Sequence, residues 1–194
     1  MHGSQEAPSG YAYGRTSPSP VSLEELRQLE AAASFADMDR DALAKAGRIL
    51  APQAEALVDA WRARIAAQPH LVKWFLGPDG KPDEDYKAKV KARFVRWVKD
   101  LCERPFDQDW LDYQHEIGLR HTPAKKNLTD RAHTPPLVPL RFLLVFTAEI
   151  ILVPRRYLLA AAPDEADRLH AAWTKAVLLT IALWSEPYAR EGLW

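Results

Sequence analysis

The chain has 194 residues, of which 47% are hydrophobic and 27% charged, and this composition suits one globular domain with a sizeable core. Its 26 basic and 26 acidic residues cancel, which argues against an electrostatic nucleic-acid binder. A single cysteine, Cys102, excludes an intramolecular disulfide and a cysteine-based zinc site and favours a reducing, cytoplasmic compartment. The Ser- and Pro-rich N-terminus lacks the apolar segment of a signal peptide.

Residues 1–20 contain many Pro, Gly and Ser and predict an extended arm. The arm contains two tyrosines, Tyr11 and Tyr13, whose rings would be exposed to solvent in a free tail. We therefore expect part of the arm to pack on the domain formed by residues 21–194.

The first helices are indicated by their caps and prolines. Ser22 with Glu25 forms a capping box that opens a helix near 22–34. Pro52 suits the first turn of a later helix, which ends at Pro69. That helix carries one apolar stripe: Ala54, Leu57, Trp61 and Ile65.

The middle of the chain predicts two more helices. One spans about 83–103 and stops at Pro105. Its apolar stripe consists of Tyr86, Val90, Phe94, Trp97 and Leu101. Asp107 can cap the next helix, which runs to His121, and Pro123 lies just beyond its end.

The last third predicts a polar loop and two helices, near 136–161 and 163–184, the first of them bent near Pro154. The apolar part of the first is short for a membrane span and contains Arg141 and Glu149, so we expect a buried helix and no membrane insertion. Strand alternation is absent from the sequence. An all-α domain of seven or eight helices follows, and this number favours globin-like packing.

The helix that ends at His121 is the most informative stretch. On an α-helix, Trp110, Tyr113, Ile117 and His121 fall on one face, so the apolar stripe ends in an imidazole. An imidazole that points into an apolar cavity can ligate a haem iron. The alternative is a core histidine with a hydrogen-bonded partner.

A haem site also needs support around the imidazole and a wall on the opposite side. The carbonyl near Ile117 is the candidate partner for the second ring nitrogen, and Gly118 could leave room for the macrocycle. Trp61, Val90 and Phe94 could form a dry distal wall. The alternative for Gly118 is a glycine that only weakens the helix slightly. The alternative for the wall is a set of ordinary core side chains.

Several short motifs occur in a characteristic order along nearly the whole chain. They are Gly10 to Gly14, Pro69 to Leu71, Arg93-Phe94 and Arg96-Trp97, Trp110 to Gln114, Glu116 to His121, Lys125 to Asn127, and Leu183 to Ser185 with Pro187-Tyr188. In this order and at these spacings the sequence resembles a protoglobin, a single-domain relative of the globin domains of globin-coupled sensors.

The resemblance implies a globin fold, the three-over-three helical sandwich, with an extra N-terminal helix and an arm on the haem edge. It implies haem b, with His121 as the iron ligand and Arg93 as a candidate partner of a propionate. The residues predicted to contact the haem are Tyr13, Trp61, Arg62, Val90, Arg93, Phe94, Trp97, Ile117, His121 and Phe146. It also implies a homodimer through the last two long helices.

One position departs from the family. A distal tyrosine usually follows the tryptophan, and here Arg62 stands in its place. Arginine is a longer, permanently charged donor, and at the edge of the stripe it could reach the ligand, reach a propionate or turn to solvent.

Three functions remain open at this stage. The first is a haem protein that reversibly binds O2, CO or NO for sensing or scavenging, with any signal passed to a separate signalling or redox partner. The second is a haem enzyme with peroxidase-like, nitrite, NO or carbene-transfer chemistry. The third is a helical interaction module without a cofactor, and the ordered motifs argue against it.

Overall fold

The computed structural model describes residues 7–189, and within this range the chain is all-helical, as predicted. The helices are α1 (Leu23–Ala32), α2 (Asp37–Leu50), α3 (Ala54–Ala66), α4 (Pro69–Val72), α5 (Glu84–Glu103), α6 (Gln108–Leu119), α7 (Leu140–Leu152), α8 (Arg155–Ala161) and α9 (Ala166–Ser185). The described range therefore holds nine helices, where seven or eight were predicted. One-turn α4 and a break at Pro154 account for the difference.

Side-chain caps define the starts of the helices that lead to the site. Ser22 and Glu25 form the predicted capping box of α1. Asp83 accepts the backbone N–H of Tyr86 at 2.9 Å at the start of α5. Asp107 accepts the backbone N–H of Trp110 at 3.0 Å at the start of α6. Each bond satisfies an N–H that has no partner within its own helix.

The apolar run after the polar loop is shorter as a helix than predicted. It was expected to begin near residue 136, but α7 begins at Leu140, because Pro139 holds an extended backbone before it. This extended entry lets the backbone N–H of Val138 donate to the carbonyl of His121 at 2.9 Å. The two ends of the loop that follows His121 are thereby joined.

Helix α9 forms the centre of the core. It packs against α2, α6, α7 and α8 and is buried along most of its length. Trp173 is fully buried in it and donates its indole N–H to the carbonyl of Ile150 in α7 at 3.0 Å. This central helix positions α6, and with it His121, relative to α7.

The N-terminal arm runs along α5 and α6. Tyr11 donates its hydroxyl to Asp100 of α5 at 2.6 Å, and the backbone N–H of Ser19 donates to Asp112 of α6 at 2.8 Å. Residues 1–6 of the predicted arm lie outside the described residues. Within residues 7–189, none of the helices combines the length and apolarity that a membrane crossing requires.

Candidate functional site

His121 lies in the turn just beyond α6, which ends at Leu119. Its Nδ1 is 2.9 Å from the backbone carbonyl of Ile117, the partner that helical spacing predicts. A carbonyl oxygen only accepts, so Nδ1 carries the proton and Nε2 keeps its lone pair. Among the described residues none forms a hydrogen bond with Nε2. The ring therefore presents a free ligating nitrogen.

The charge state of His121 suits this role. Burial lowers its pKa to about 4, and the hydrogen bond to Ile117 opposes that shift. The positive charges of Lys126 and Arg120 lower the pKa further. The imidazole is neutral at pH 7, as ligation of a metal requires.

Trp184 of α9 supports the back of the imidazole. The two rings are stacked with centroids 5.6 Å apart, and Gln114 accepts the indole N–H of Trp184 at 3.0 Å. Trp184 was not predicted as a site residue, because it lies 63 positions beyond His121 and no local rule brings the two together.

Gly118 serves this contact and not the approach of a macrocycle, so that prediction was wrong. A Cβ on Gly118 would lie 3.1 Å from both the Cα and the carbonyl oxygen of Trp184. Such distances are too short for backbone atoms that cannot move aside. Glycine at this position therefore lets α6 and α9 approach closely enough for Trp184 to meet His121.

An unbroken series of aromatic contacts links the predicted distal wall to His121. Trp61 stacks on Phe94 with centroids 4.9 Å apart, and Phe94 lies 5.4 Å from Trp97. Trp97 in turn lies 5.5 Å from Trp184, which stacks on His121. The fold thus brings four of the predicted site residues into one contiguous set.

Several apolar side chains of this region are only half-buried, although they face the interior. They include Val90, Phe94, Ile117 and Phe146, three of which pack against the core. Core side chains elsewhere are almost fully covered, as Trp173 at 0% exposure shows. A flat apolar group held by His121 would complete their burial, so the residues present fit a haem.

Arg62 is half-buried and has no ring contact with this apolar set among the described residues. Its side chain lines two solvent-open grooves between α3 and α5, one with Asp59 and Lys87 and the other with Glu55 and Lys91. Among the described residues none forms an ion pair or hydrogen bond with its guanidinium. The structure therefore places Arg62 at the surface of the helix pair.

Arg93 is engaged by a buried carboxylate. Its guanidinium binds both oxygens of Asp130, and it also donates to the carbonyl of Ser9 in the arm at 2.8 Å. The side chains are 11% and 2% exposed, so the pair is held inside the protein. Asp130 was not predicted as a site residue, and its distance along the chain from Arg93 gave no signal.

Tyr13 belongs to a tyrosine cluster at the base of the arm. Its ring lies 5.6 Å from that of Tyr113 and 6.3 Å from that of Tyr11. The guanidinium of Arg104 lies 3.9 Å from its centroid, a cation–π contact. Burial raises the pKa of Tyr13 well above its usual range.

Comparison with known proteins agrees with this geometry. The model of the Protoglobin family matches residues 22–194. No curated protein matches the chain. The match covers most of the chain, so the chain belongs to the protoglobin family, as the ordered motifs predicted. It has the globin fold, and family membership makes it a globin-like protein that binds haem and gas.

Proposed function

We propose that this protein holds haem b through His121 and reversibly binds O2, CO or NO on the face opposite that residue, for gas sensing or scavenging. The observation that carries the proposal is the state of His121. Its Nδ1 donates to the carbonyl of Ile117, its Nε2 has no hydrogen-bond partner among residues 7–189, and burial keeps the ring neutral. Bound haem would supply an iron atom with a position for a diatomic gas.

The distal residues support a preference among these gases. The indole N–H of Trp61 donates to the carbonyl of Glu149 at 3.0 Å, so it is not free for a ligand. Phe94 and Val90 have no donors, and Arg62 lines solvent-open grooves. Bound O2 depends on a distal hydrogen-bond donor more than CO does. We propose that the protein holds CO and NO in preference to O2.

The partner of Nδ1 favours gas binding over peroxidase-like catalysis. A carboxylate partner makes a ligating imidazole more basic and raises electron donation to the metal. In this protein the partner is the backbone carbonyl of Ile117, a weaker acceptor. Reversible binding is therefore the first function to test, and turnover of peroxide or nitrite is the second.

The experiment is reconstitution of the purified protein with haemin, reduction and addition of CO. A sharp Soret shift that is lost in His121→Ala supports the proposal. His115→Ala is the matched control, because His115 lies in α6 and is paired with Glu186. A protein that takes up no haem, or one whose spectrum is the same in His121→Ala, overturns it.

We also propose that the protein is a homodimer through its last two long helices. Apolar side chains are exposed along one face of α7: Leu144, Val145 and Leu152 at 50, 75 and 61%. On α9, Leu178 is 50% exposed. Exposed apolar stretches of this kind are typical of interfaces.

The oligomeric state can be measured by light scattering after gel filtration. Val145→Glu should convert the dimer into a monomer, because it places a charge in the interface. Leu128→Glu is the control, because Leu128 is 70% exposed but lies in the loop between α6 and α7 and not on the last two long helices. A wild-type protein that is monomeric at micromolar concentration contradicts the dimer.

A further inference from the structure

Lys126 is a buried cation without a carboxylate partner among the described residues. The residue is 3% exposed, and its ammonium donates to the carbonyl of Trp74 at 2.9 Å and to the hydroxyl of Thr134 at 2.6 Å. The Tyr86 ring lies 5.1 Å away. All of these partners are neutral, whereas a buried charge is ordinarily paired with an opposite charge.

Burial without a counter-ion disfavours the charged form of Lys126. Burial lowers the pKa of its ammonium to about 8, and no carboxylate counteracts the shift. An ammonium has three N–H donors, and only two of them have partners among the described residues. The indole N–H of Trp74 is also buried without an acceptor in this part of the chain. An anion that reached the ammonium would supply the missing partner of its third N–H.

Arg93, the propionate partner expected from the sequence, already has a counter-ion inside the protein. Its charge is already neutralised by the two-point contact with Asp130, whose side chain is 2% exposed. Its guanidinium also lies against the arm, where a Cβ on Gly10 would be 2.6 Å from Nη1. Three of its five N–H donors are used by Asp130 and Ser9, and its charge is already balanced by Asp130, so this pair offers a second carboxylate no net positive charge.

The position of Lys126 places its charge near the candidate iron ligand. The loop that carries it starts directly after His121 and returns to the same residue through the bond from Val138. The backbone N–H of Lys126 donates at 3.0 Å to the carbonyl of Thr122, the residue next to His121. Lys126, unlike Arg93, is a buried cation that has no carboxylate partner among the described residues and lies in the loop that joins back to His121.

We propose that the ammonium of Lys126 is the internal counter-ion of a haem propionate. This inference rests on the proposed haem binding. It replaces Arg93, the propionate partner expected from the sequence, with Lys126, which the sequence analysis named only as part of the motif from Lys125 to Asn127. Arg93 instead pairs with Asp130 and fastens the arm.

The experiment compares two cofactors that differ only in their carboxylates, protohaemin and its dimethyl ester. Each is loaded into wild-type protein and into Lys126→Met, and the rate of haem loss to excess apomyoglobin is recorded from the Soret band. Lys126→Met should release protohaem about 10- to 100-fold faster, the effect of one hydrogen bond to a charged group. It should leave the release of the ester unchanged.

Two further variants make the comparison specific. Lys125→Met is the matched control, because the adjacent Lys125 is paired with Glu116 and its side chain is 35% exposed. Its release rates should follow those of wild type. Lys126→Gln can retain the bonds to Trp74 and Thr134 without the charge, so it should reproduce the Lys126→Met result even if the methionine variant folds poorly.

The outcomes separate this inference from the haem proposal. An equal change for both cofactors, or no change for either, overturns the role of Lys126 while haem binding through His121 stands. Failure of the wild type to take up either cofactor overturns the haem proposal itself. A third outcome would also overturn the inference. In it, acetate stabilises the wild-type apoprotein but not Lys126→Met, and Lys126→Met changes the release rates of the two cofactors equally. Lys126 would then bind a free carboxylate and not a propionate.

Discussion

Trp61 donates its indole N–H to the backbone carbonyl of Glu149 at 3.0 Å and so ties α3 to α7 across the interior. Both helices contribute side chains to the candidate haem pocket. The bond fixes the ring that stacks on Phe94, and it also removes the N–H from any role with a bound gas. The side chain of Trp61 therefore affects both the stability of the fold and the hydrogen bonds available to a bound gas.

We expect Trp61→Phe to destabilise the apoprotein by about 2–4 kcal/mol, because it leaves the Glu149 carbonyl unpaired and opens a small cavity. Trp110→Phe is the matched control, because both tryptophans are 0% exposed but the indole N–H of Trp110 has no partner among the described residues. Urea denaturation measures both. Equal losses would mean that the hydrogen bond contributes nothing.

The contact between Gly118 and Trp184 predicts that a single methyl group disturbs the iron ligand. Gly118→Ala should destabilise the protein by about 1–3 kcal/mol through overpacking, even though alanine favours helix by about 1 kcal/mol. Haem affinity should fall with it, because α9 carries the ring that supports His121. Ala88→Gly, at an exposed position of α5, calibrates the helix preference. A more stable Gly118→Ala variant would contradict the packing argument.

Part of the site depends on interactions between residues that are close in the sequence. The cap at Asp107 and the bond from His121 to Ile117 connect residues at most four positions apart, and both were predicted from spacing, whereas the cap at Asp83 was not predicted. The break at Pro154 follows from its missing N–H. Local rules suffice for such features because helix geometry fixes the distances.

Long-range pairings could not be read in this way. The support of His121 by Trp184 and the pairing of Arg93 with Asp130 depend on how helices and loops meet, and one sequence does not specify that. Arg62 lies about 100° around its helix from Trp61, at the edge of the apolar stripe, so its direction was open. Packing of α3 against α5 decides it.

The neutral state of His121 predicts an acid-sensitive apoprotein. Its pKa of about 4 in the folded state lies below the usual 6.5, so between these values the unfolded chain binds more protons than the folded one. The stability contributed by neutral His121 is present above about pH 6.5 and is lost as the pH falls towards 4, amounting to about 3 kcal/mol. Urea midpoints from pH 4 to 7 should show this slope in the wild type and a smaller one in His121→Leu. The same slope in both would assign the effect to other groups.

Arg62 provides a direct test of the distal side. Because it lines solvent-open grooves, Arg62→Ala should leave the dissociation rates of O2 and CO within about twofold of wild type, a change below 0.5 kcal/mol. Phe94→Ala is the positive control, since it removes a ring stacked on Trp61 and should alter both rates. Stopped-flow ligand exchange measures them. A tenfold faster loss of O2 alone in Arg62→Ala would show that the guanidinium reaches the ligand.

The pair of Arg93 and Asp130 predicts a strongly non-additive double mutant. Arg93→Met leaves the carboxylate of Asp130 buried without its counter-ion and should cost about 3–5 kcal/mol of apoprotein stability. Removing both charges in Arg93→Met/Asp130→Leu should recover much of that loss, because neither buried charge then remains. The recovery will be incomplete, since the bond from Arg93 to the carbonyl of Ser9 is also gone and the arm loses an anchor. Losses that simply add in a thermodynamic cycle would show that the two residues act independently, and the arm would then be held by the contacts of Tyr11, Tyr13 and Ser19.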